Sequence, residues 1–244
     1  MKRYLTILLL LNVVAMTASA REVFPINEGW RFFFKSEKTS AKACHVTLPH
    51  SWNTDPLAQG YWLETTGSYQ NGMYIPVEWA SKRLFVKFYG VQSVADLFVN
   101  GYHVGTHRGG ATAFTFEITD KIRFGSDNSM LVVVSNSSRD DVLPTSTDMN
   151  LYGGIYRDIS LMVVSKNHIA LGHFGDTGVK ITPALKDGKA DIRVETIVEG
   201  EGAVFVELQD AAGSIVARAE GADAQLHLDA PHLWDGVKDP YLYT

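Results

Sequence analysis

The sequence offers little with which to cross-link itself, grip a polyanion or hold a metal. Cys44 is the only cysteine among 244 residues. No internal disulfide can form, so the fold must rest on the size of its core. The formal net charge is −5, which argues against nucleic acid or an anionic membrane as a partner. The eight histidines show no ligand spacing. There is no His-Glu-x-x-His and no cysteine cluster, so a zinc site is not expected. No glycine loop opens a helix in the way a phosphate cradle requires, and nucleotide binding is not expected either. Long amphipathic helical periods are missing; only Asp120-Lys121-Ile122 reads as a one-turn piece.

The longest apolar run is short and terminal. Lys2 and Arg3 precede Tyr4 to Val14, which is apolar apart from Thr6 and Asn12, and Ala18-Ser19-Ala20 is a small-x-small cleavage pattern. This is the pattern of a secretory signal peptide over residues 1–20, too short for a comfortable membrane span. It predicts an exported protein, periplasmic or extracellular, whose mature chain starts at Arg21. No cysteine stands near that point, so a lipoprotein anchor of the usual kind is not expected. About 220 residues then remain, enough for two ordinary domains or one large sandwich.

What is present is strand and turn. Leu84 to Tyr89 and Val94 to Val99 read as strands, the second ending at Asn100-Gly101. Asn-Gly between apolar runs is a strong hairpin signal, because both residues tolerate positive φ. Tyr102 to Gly105 starts the return strand, and Ala113 to Ile118 places Phe114, Phe116 and Ile118 on one face. Met130 to Val134 is a continuous apolar run, as in a strand covered on both sides. Past Lys166 aromatics thin out. Asp191 to Val198 alternates cleanly, with turns at Gly200-Glu201-Gly202 and Asp210 to Gly213. Strands so regularly spaced predict an antiparallel sandwich of immunoglobulin type without its cysteines. The sequence thus predicts an all-β chain of two sandwiches, over 21–166 and 167–244. Tyr241 to Thr244 reads as the opening of a final strand, and the second sandwich is expected to be incomplete.

The most informative stretch is Asp148-Met149-Asn150-Leu151-Tyr152-Gly153-Gly154-Ile155-Tyr156-Arg157-Asp158, which leads into the apolar run from Ile159. The glycine pair permits a tight turn or a close approach. An acid and an aromatic on such a turn suit a polyol, because carboxylates accept from hydroxyls and rings cover apolar sugar faces.

Several segments resemble glycoside hydrolase family 2, the group of β-galactosidases, β-glucuronidases and β-mannosidases. They are Leu48-Pro49-His50-Ser51-Trp52-Asn53, Phe98 to Gly105, His107 to Phe114, Tyr152 to Ile159, and Leu233-Trp234 with Asp239 to Tyr243. Five weak motifs in family order make a specific signal. The resemblance implies a galactose-binding-like jelly roll, an immunoglobulin-like sandwich, and a catalytic TIM barrel as the missing C-terminal partner. It implies a carbohydrate substrate and retaining hydrolysis, most simply of a β-galactoside. Retaining enzymes use two carboxyls about 5–5.5 Å apart. No counterpart of the barrel motifs is present, so neither Glu64 nor Glu117 is assigned a catalytic role. In several members the acid before the glycine turn contacts the terminal sugar. Asp148 matches it, with Asn150 and Tyr152 as companions. No cofactor is implied. In some β-galactosidases the same acid also helps hold a sodium ion together with barrel residues, so sodium near Asp148 is expected only alongside a barrel. Nothing in the sequence sets the oligomeric state.

Other candidates are weighed against plainer roles. His107, Gly109 and Gly110 read as a turn between strands, and His50 and Trp52 as packing beneath the first sandwich. Asp140 and Asp141 read as a solvated loop, and Arg157 as a residue that holds its turn through carbonyl or carboxylate contacts. Asn136-Ser137-Ser138 fits a glycosylation sequon. Tyr61, Trp62, Tyr69 and Tyr74 surround Gly60, Gly67 and Gly72; they line a sugar site or pack a loop, and both readings stay open. Two rivals remain: a stand-alone carbohydrate-binding or adhesion-like sandwich, and an enzyme acting on β-glucuronides or β-mannosides.

Overall fold

The computed structural model describes residues 21–34, 43–53, 64–145 and 152–244. The predicted leader, Asp148, Asn150, Tyr61 and Trp62 lie outside the described residues. Among those described there is no α-helix, and the chain is built of strands.

The first unit holds ten strands: β1 (Arg21–Pro25), β2 (Trp30–Phe34), β3 (Cys44–Val46), β4 (Thr66–Ile75), β5 (Arg83–Phe88), β6 (Val94–Val99), β7 (Tyr102–Arg108), β8 (Phe114–Glu117), β9 (Ser126–Ser135) and β10 (Ile159–Val164). They form a six-stranded sheet, β3-β2-β4-β9-β6-β7, and a four-stranded one, β1-β10-β5-β8. All the pairings are antiparallel. Trp30, Phe32, Tyr69, Phe88, Phe114, Met130, Val132 and Ile159 meet in one buried core between the sheets. Each fully buried aromatic or aliphatic side chain contributes roughly 1.5–3 kcal/mol of transfer free energy.

The β6–β7 hairpin turns at Asn100 (φ 52°) and Gly101 (φ 83°), the two positive-φ positions that the dipeptide supplies. The Asn100 amide also donates to the Lys121 carbonyl at 2.7 Å, which ties the turn to the short 3-10 turn Thr119–Lys121. The strand covered on both faces is β10, buried at all six positions. Its Ile159, Leu161 and Val163 enter the main core, while Met162 and Val164 pack with Phe85 beneath Leu171. The run in β9, expected to be covered on both sides, instead alternates: Met130, Val132 and Val134 are buried, and Leu131 and Val133 are half-buried. It is central in its sheet, yet only one face meets the opposing layer.

The second unit comprises β11 (His168–Ile169), β12 (Val179–Lys186), β13 (Lys189–Thr196), β14 (Val198–Glu199), β15 (Phe205–Gln209), β16 (Ile215–Glu220) and β17 (Asp223–Leu228). Its sheets are β12-β13-β17, β15-β16 and the short pair β11-β14. The alternation in β13 holds, with Ile192, Val194 and Thr196 turned inward. The core is small: Ala190, Ile192, Val194, Ala224 and Leu226, with Val206, Leu208, Ala217 and Ala219 packed against it. Thr244 exchanges both backbone hydrogen bonds with Gln209, at 3.0 and 2.6 Å, so the last residue pairs along the end of β15.

The segment between the units lies on the first sandwich. The Thr115 N–H donates to the His173 carbonyl at 2.7 Å, and the His173 ring nitrogen Nδ1 lies 3.2 Å from the Thr115 carbonyl. Lys87 Nζ donates to the Gly175 carbonyl at 3.1 Å. Arg83 grips Glu117 of β8 with two hydrogen bonds and reaches Glu199 of β14 at 2.8 Å. These contacts cover the free edge of β8.

Candidate functional site

The turn that carries Tyr152 is clamped from three sides. The segment 50–53 runs beside it: His50 N–H donates to the Ile155 carbonyl at 2.8 Å, and Trp52 N–H to the Gly153 carbonyl at 3.3 Å. In return Gly153 N–H donates to Asn53 Oδ1 at 2.7 Å. On the other side Gln92 and Gly154 exchange two backbone bonds, at 3.0 and 3.3 Å. From within the core, Tyr69 of β4 brings its hydroxyl against Gly154.

Both glycines are required by space. A methyl group at Gly153 would sit 2.1 Å from Trp52 Cζ2 and 2.7 Å from Asn136 Cγ. At Gly154, where φ is +127°, it would sit 2.5 Å from the His50 carbonyl oxygen and 2.6 Å from the Tyr69 hydroxyl. The sequence reading allowed a tight turn or a close approach; the structure has both.

Around this turn Pro49, His50, Ser51, Tyr152 and Tyr156 line a cleft of about 400 Å³. Tyr152, predicted as a ligand contact, is 41% exposed at its wall. Tyr156 donates its hydroxyl proton to the Gly110 carbonyl at 2.5 Å, which fixes its ring. Aromatic walls with a few polar groups are the usual make-up of a small-ligand cleft.

His50 and Trp52 do pack beneath the sandwich: Trp52 is buried and stacks on Phe32, and the His50 ring lies 4.9 Å from the same Phe32. His50 has a second aspect, because it is also one of the residues that line the cleft. Its Nδ1 lies 2.8 Å from the Tyr69 hydroxyl. Burial pushes the imidazole pKa below its ordinary value and the Tyr69 phenol well above its own. Both groups are therefore neutral at neutral pH. Sequence reasoning missed this pair, because it placed Tyr69 in a loop. Gly67, Tyr69, Asn71, Met73 and Ile75 are the inward residues of strand β4, and that alternation was the available signal. Gly67 and Gly72 lie in the same strand and not in a loop; Tyr74, on the other face, is exposed.

Arg157 differs from expectation. Among the described residues its contact is with a ring: the guanidinium lies 5.6 Å above Tyr156, with no carbonyl or carboxylate partner. It is Asp158 that ties the turn down, accepting from Asn27 Nδ2 at 3.0 Å. His107 is buried, stacked on Phe114 at 3.9 Å, with Nε2 3.1 Å from the Gly109 carbonyl, as a structural turn requires. Asp141 is exposed and pairs with Arg139 and Arg108. Asn136 is buried and accepts from Thr65 N–H at 2.8 Å, so its sequon is closed to modification in the folded state. No group of three or more metal-ligating side chains occurs among the described residues.

The chain is thus an all-β protein of two sandwiches, a jelly roll that carries the glycine-clamped aromatic cleft and an immunoglobulin-like unit after it. Residues 57–165 match the family model described as glycosyl hydrolases family 2, sugar binding domain, and the chain belongs to that family. It is 33% identical to a β-glucuronidase of Bacteroides fragilis over 96% of this chain and 36% of the relative. It is 29% identical to a β-galactosidase of Thermoanaerobacter pseudethanolicus over 90% of this chain and 30% of the relative. Among solved structures, an FMN-binding β-glucuronidase from Facaelibacterium prausnitzii L2-6 superposes with a TM-score of 0.81 at 32% identity, over 92% of this chain and 36% of that one. The chain spans about a third of the length of the relatives it matches.

Proposed function

We propose that this chain is the N-terminal part of an exported retaining β-glycosidase, supplying scaffold and one wall of the substrate pocket. The observation that supports it most is the match along nearly the whole chain to one third of a β-glucuronidase, together with the clamped turn and its cleft. The hydrolytic carboxylates belong, on this reading, to a barrel that corresponds to the remaining two thirds of such relatives. The chain by itself is then inactive. β-Glucuronides are the first substrates to test and β-galactosides the second. The sequence alone put them the other way round, and the relatives at 32–33% identity named as β-glucuronidases favour the change.

Asp148 contacts the terminal sugar on this reading, with Asn150 and Tyr152 beside it. The test uses the full-length protein and p-nitrophenyl β-D-glucuronide and β-D-galactoside, with the anomer of the first product read by NMR. Retention is expected. Asp148→Asn is expected to lower kcat/KM by roughly 30- to 1000-fold, the loss of about 2–4 kcal/mol of a charged hydrogen bond. Wild-type kcat/KM in a folded variant would remove Asp148 from the site. An active sugar-binding protein with no hydrolysis of either glycoside would favour the stand-alone binding module instead.

A further inference from the structure

We infer that His50 is a sugar-binding residue, presenting its Nε2–H into the cleft as a fixed donor to a ligand hydroxyl, with Tyr69 setting the tautomer. This rests on the glycosidase reading and takes from the scaffold a residue which that reading leaves there.

Tyr69 is fully buried, so its hydroxyl proton must find an acceptor within the protein. Two acceptors are within reach: His50 Nδ1 at 2.8 Å and the His50 carbonyl at 3.5 Å. Hydrogen-bond strength falls steeply with distance and misalignment, so the proton goes to Nδ1. Nδ1 is then the lone-pair nitrogen of a neutral imidazole, and the proton sits on Nε2.

Nε2 is the nitrogen left for the cleft. His50 is among the residues that line it, while the Nδ1 edge is taken up by Tyr69. Nε2 has no partner among the described residues, and it is not among their buried, unpartnered polar atoms. It is thus an open donor on a residue that shares the cleft with Pro49, Ser51, Tyr152 and Tyr156. Burial keeps the ring neutral at neutral pH, so it offers a donor without a charge. The ring cannot swing away: Phe32 packs against it, and the His50 backbone is bonded to Ile155. A preorganised neutral donor beside aromatic faces suits a sugar, whose hydroxyl oxygen accepts while the ring lies along a Tyr face.

Two measurements on the full-length protein test this. In the first, His50→Phe keeps a flat aromatic ring, somewhat larger, and removes the nitrogens, and His50→Gln restores an amide donor near Nε2. His50→Phe is expected to raise KM for p-nitrophenyl β-D-glucuronide about ten-fold with kcat little changed, and His50→Gln to recover most of that loss. In the second, ring-15N histidine NMR, assigned by the signal lost in His50→Gln, reads the tautomer directly. Nε2 is expected to carry the proton, and its resonance to move on addition of D-glucuronic acid or D-galactose. A protonated Nδ1, an Nε2 signal indifferent to both sugars, or wild-type KM in folded His50→Phe would each overturn the inference. If the wild type hydrolyses no β-glycoside, the glycosidase reading fails on its own and the NMR titration still decides His50. The same titration decides if His50→Phe does not fold.

Discussion

Gly154→Ala probes the clamp around the turn more sharply than any other single change. Two costs add. The backbone at φ +127° lies outside the wells open to L-residues, which costs about 1–3 kcal/mol. The new methyl would also stand 2.5 Å from the His50 carbonyl oxygen and 2.6 Å from the Tyr69 hydroxyl. Neither can yield cheaply, because the His50 backbone is tied to Ile155 and the Tyr69 ring is fully buried. Overpacking of this kind costs about 1–3 kcal/mol. The expected loss is therefore near 4 kcal/mol, or roughly 8–16 °C in Tm for a protein of this size. Gly101→Ala is the control within the same sandwich: φ is +83°, and nothing lies within 4 Å of the added methyl. It should cost about 1 kcal/mol, a few degrees in Tm. Calorimetry on the chain from Arg21 gives both values. A Gly154→Ala loss no larger than that of Gly101→Ala would refute the claim that close approach, and not φ alone, demands the glycine.

Two further predictions concern charge. Arg83 holds the Glu117 carboxyl below its ordinary pKa through their side-chain hydrogen bonds, against a smaller opposing effect of burial. A depressed carboxyl pKa contributes stability that is complete above the unfolded value of 4.5 and is lost as pH falls through the folded one. Arg83→Met should accordingly cost about 1 kcal/mol at pH 7, discounted for a partly exposed pair, and the gap to wild type should close in urea titrations run below pH 4.5. His227 behaves in the opposite sense. Its hydrogen bonds to Asp191 and then Asp229 raise its pKa above 6.5, so its contribution is complete below pH 6.5 and disappears as pH rises through the folded value. The stability difference between wild type and His227→Gln should be largest at pH 6 and vanish in alkaline buffer; a constant difference across that range would count against the ion pairs.

Local patterning made much of the fold legible. The alternation of β13, the Asn100-Gly101 turn and the approximate limits of β5, β6 and β8 could be read without any knowledge of partners, because period and turn chemistry are properties of neighbouring residues. What failed was non-local. The run in β9 looked buried on both faces, but only the stacking of layers decides that, and it is β10 that is enclosed. Tyr69 looked like part of a glycine-rich loop because Gly67 and Gly72 flank it. In the structure Gly67 is small so that Phe32 and Trp52 can cover it, at 2.6 and 2.9 Å from its missing methyl. Trp52 and Gly153 are a hundred residues apart, and nothing in either segment announces their contact. The cleft was legible at Tyr152, through its glycine neighbours. The pairing of His50 with Tyr69 was not, since it depends on register between a loop and a strand.

The contact between His173 and Thr115 bears on where this chain can be cut. Composition changes at Lys166, and on composition alone a boundary drawn there releases the first sandwich. Yet the outer edge of β8 takes its backbone partner from residue 173, and Phe116 is covered by the same histidine, with ring centroids 5.3 Å apart. A fragment ending at Lys166 would expose a hydrogen-bonding strand edge beside Phe114 and Phe116, which invites intermolecular pairing. Continuing the fragment to Gly178 would keep that edge sealed. The first sandwich is therefore longer in its physics than in its composition.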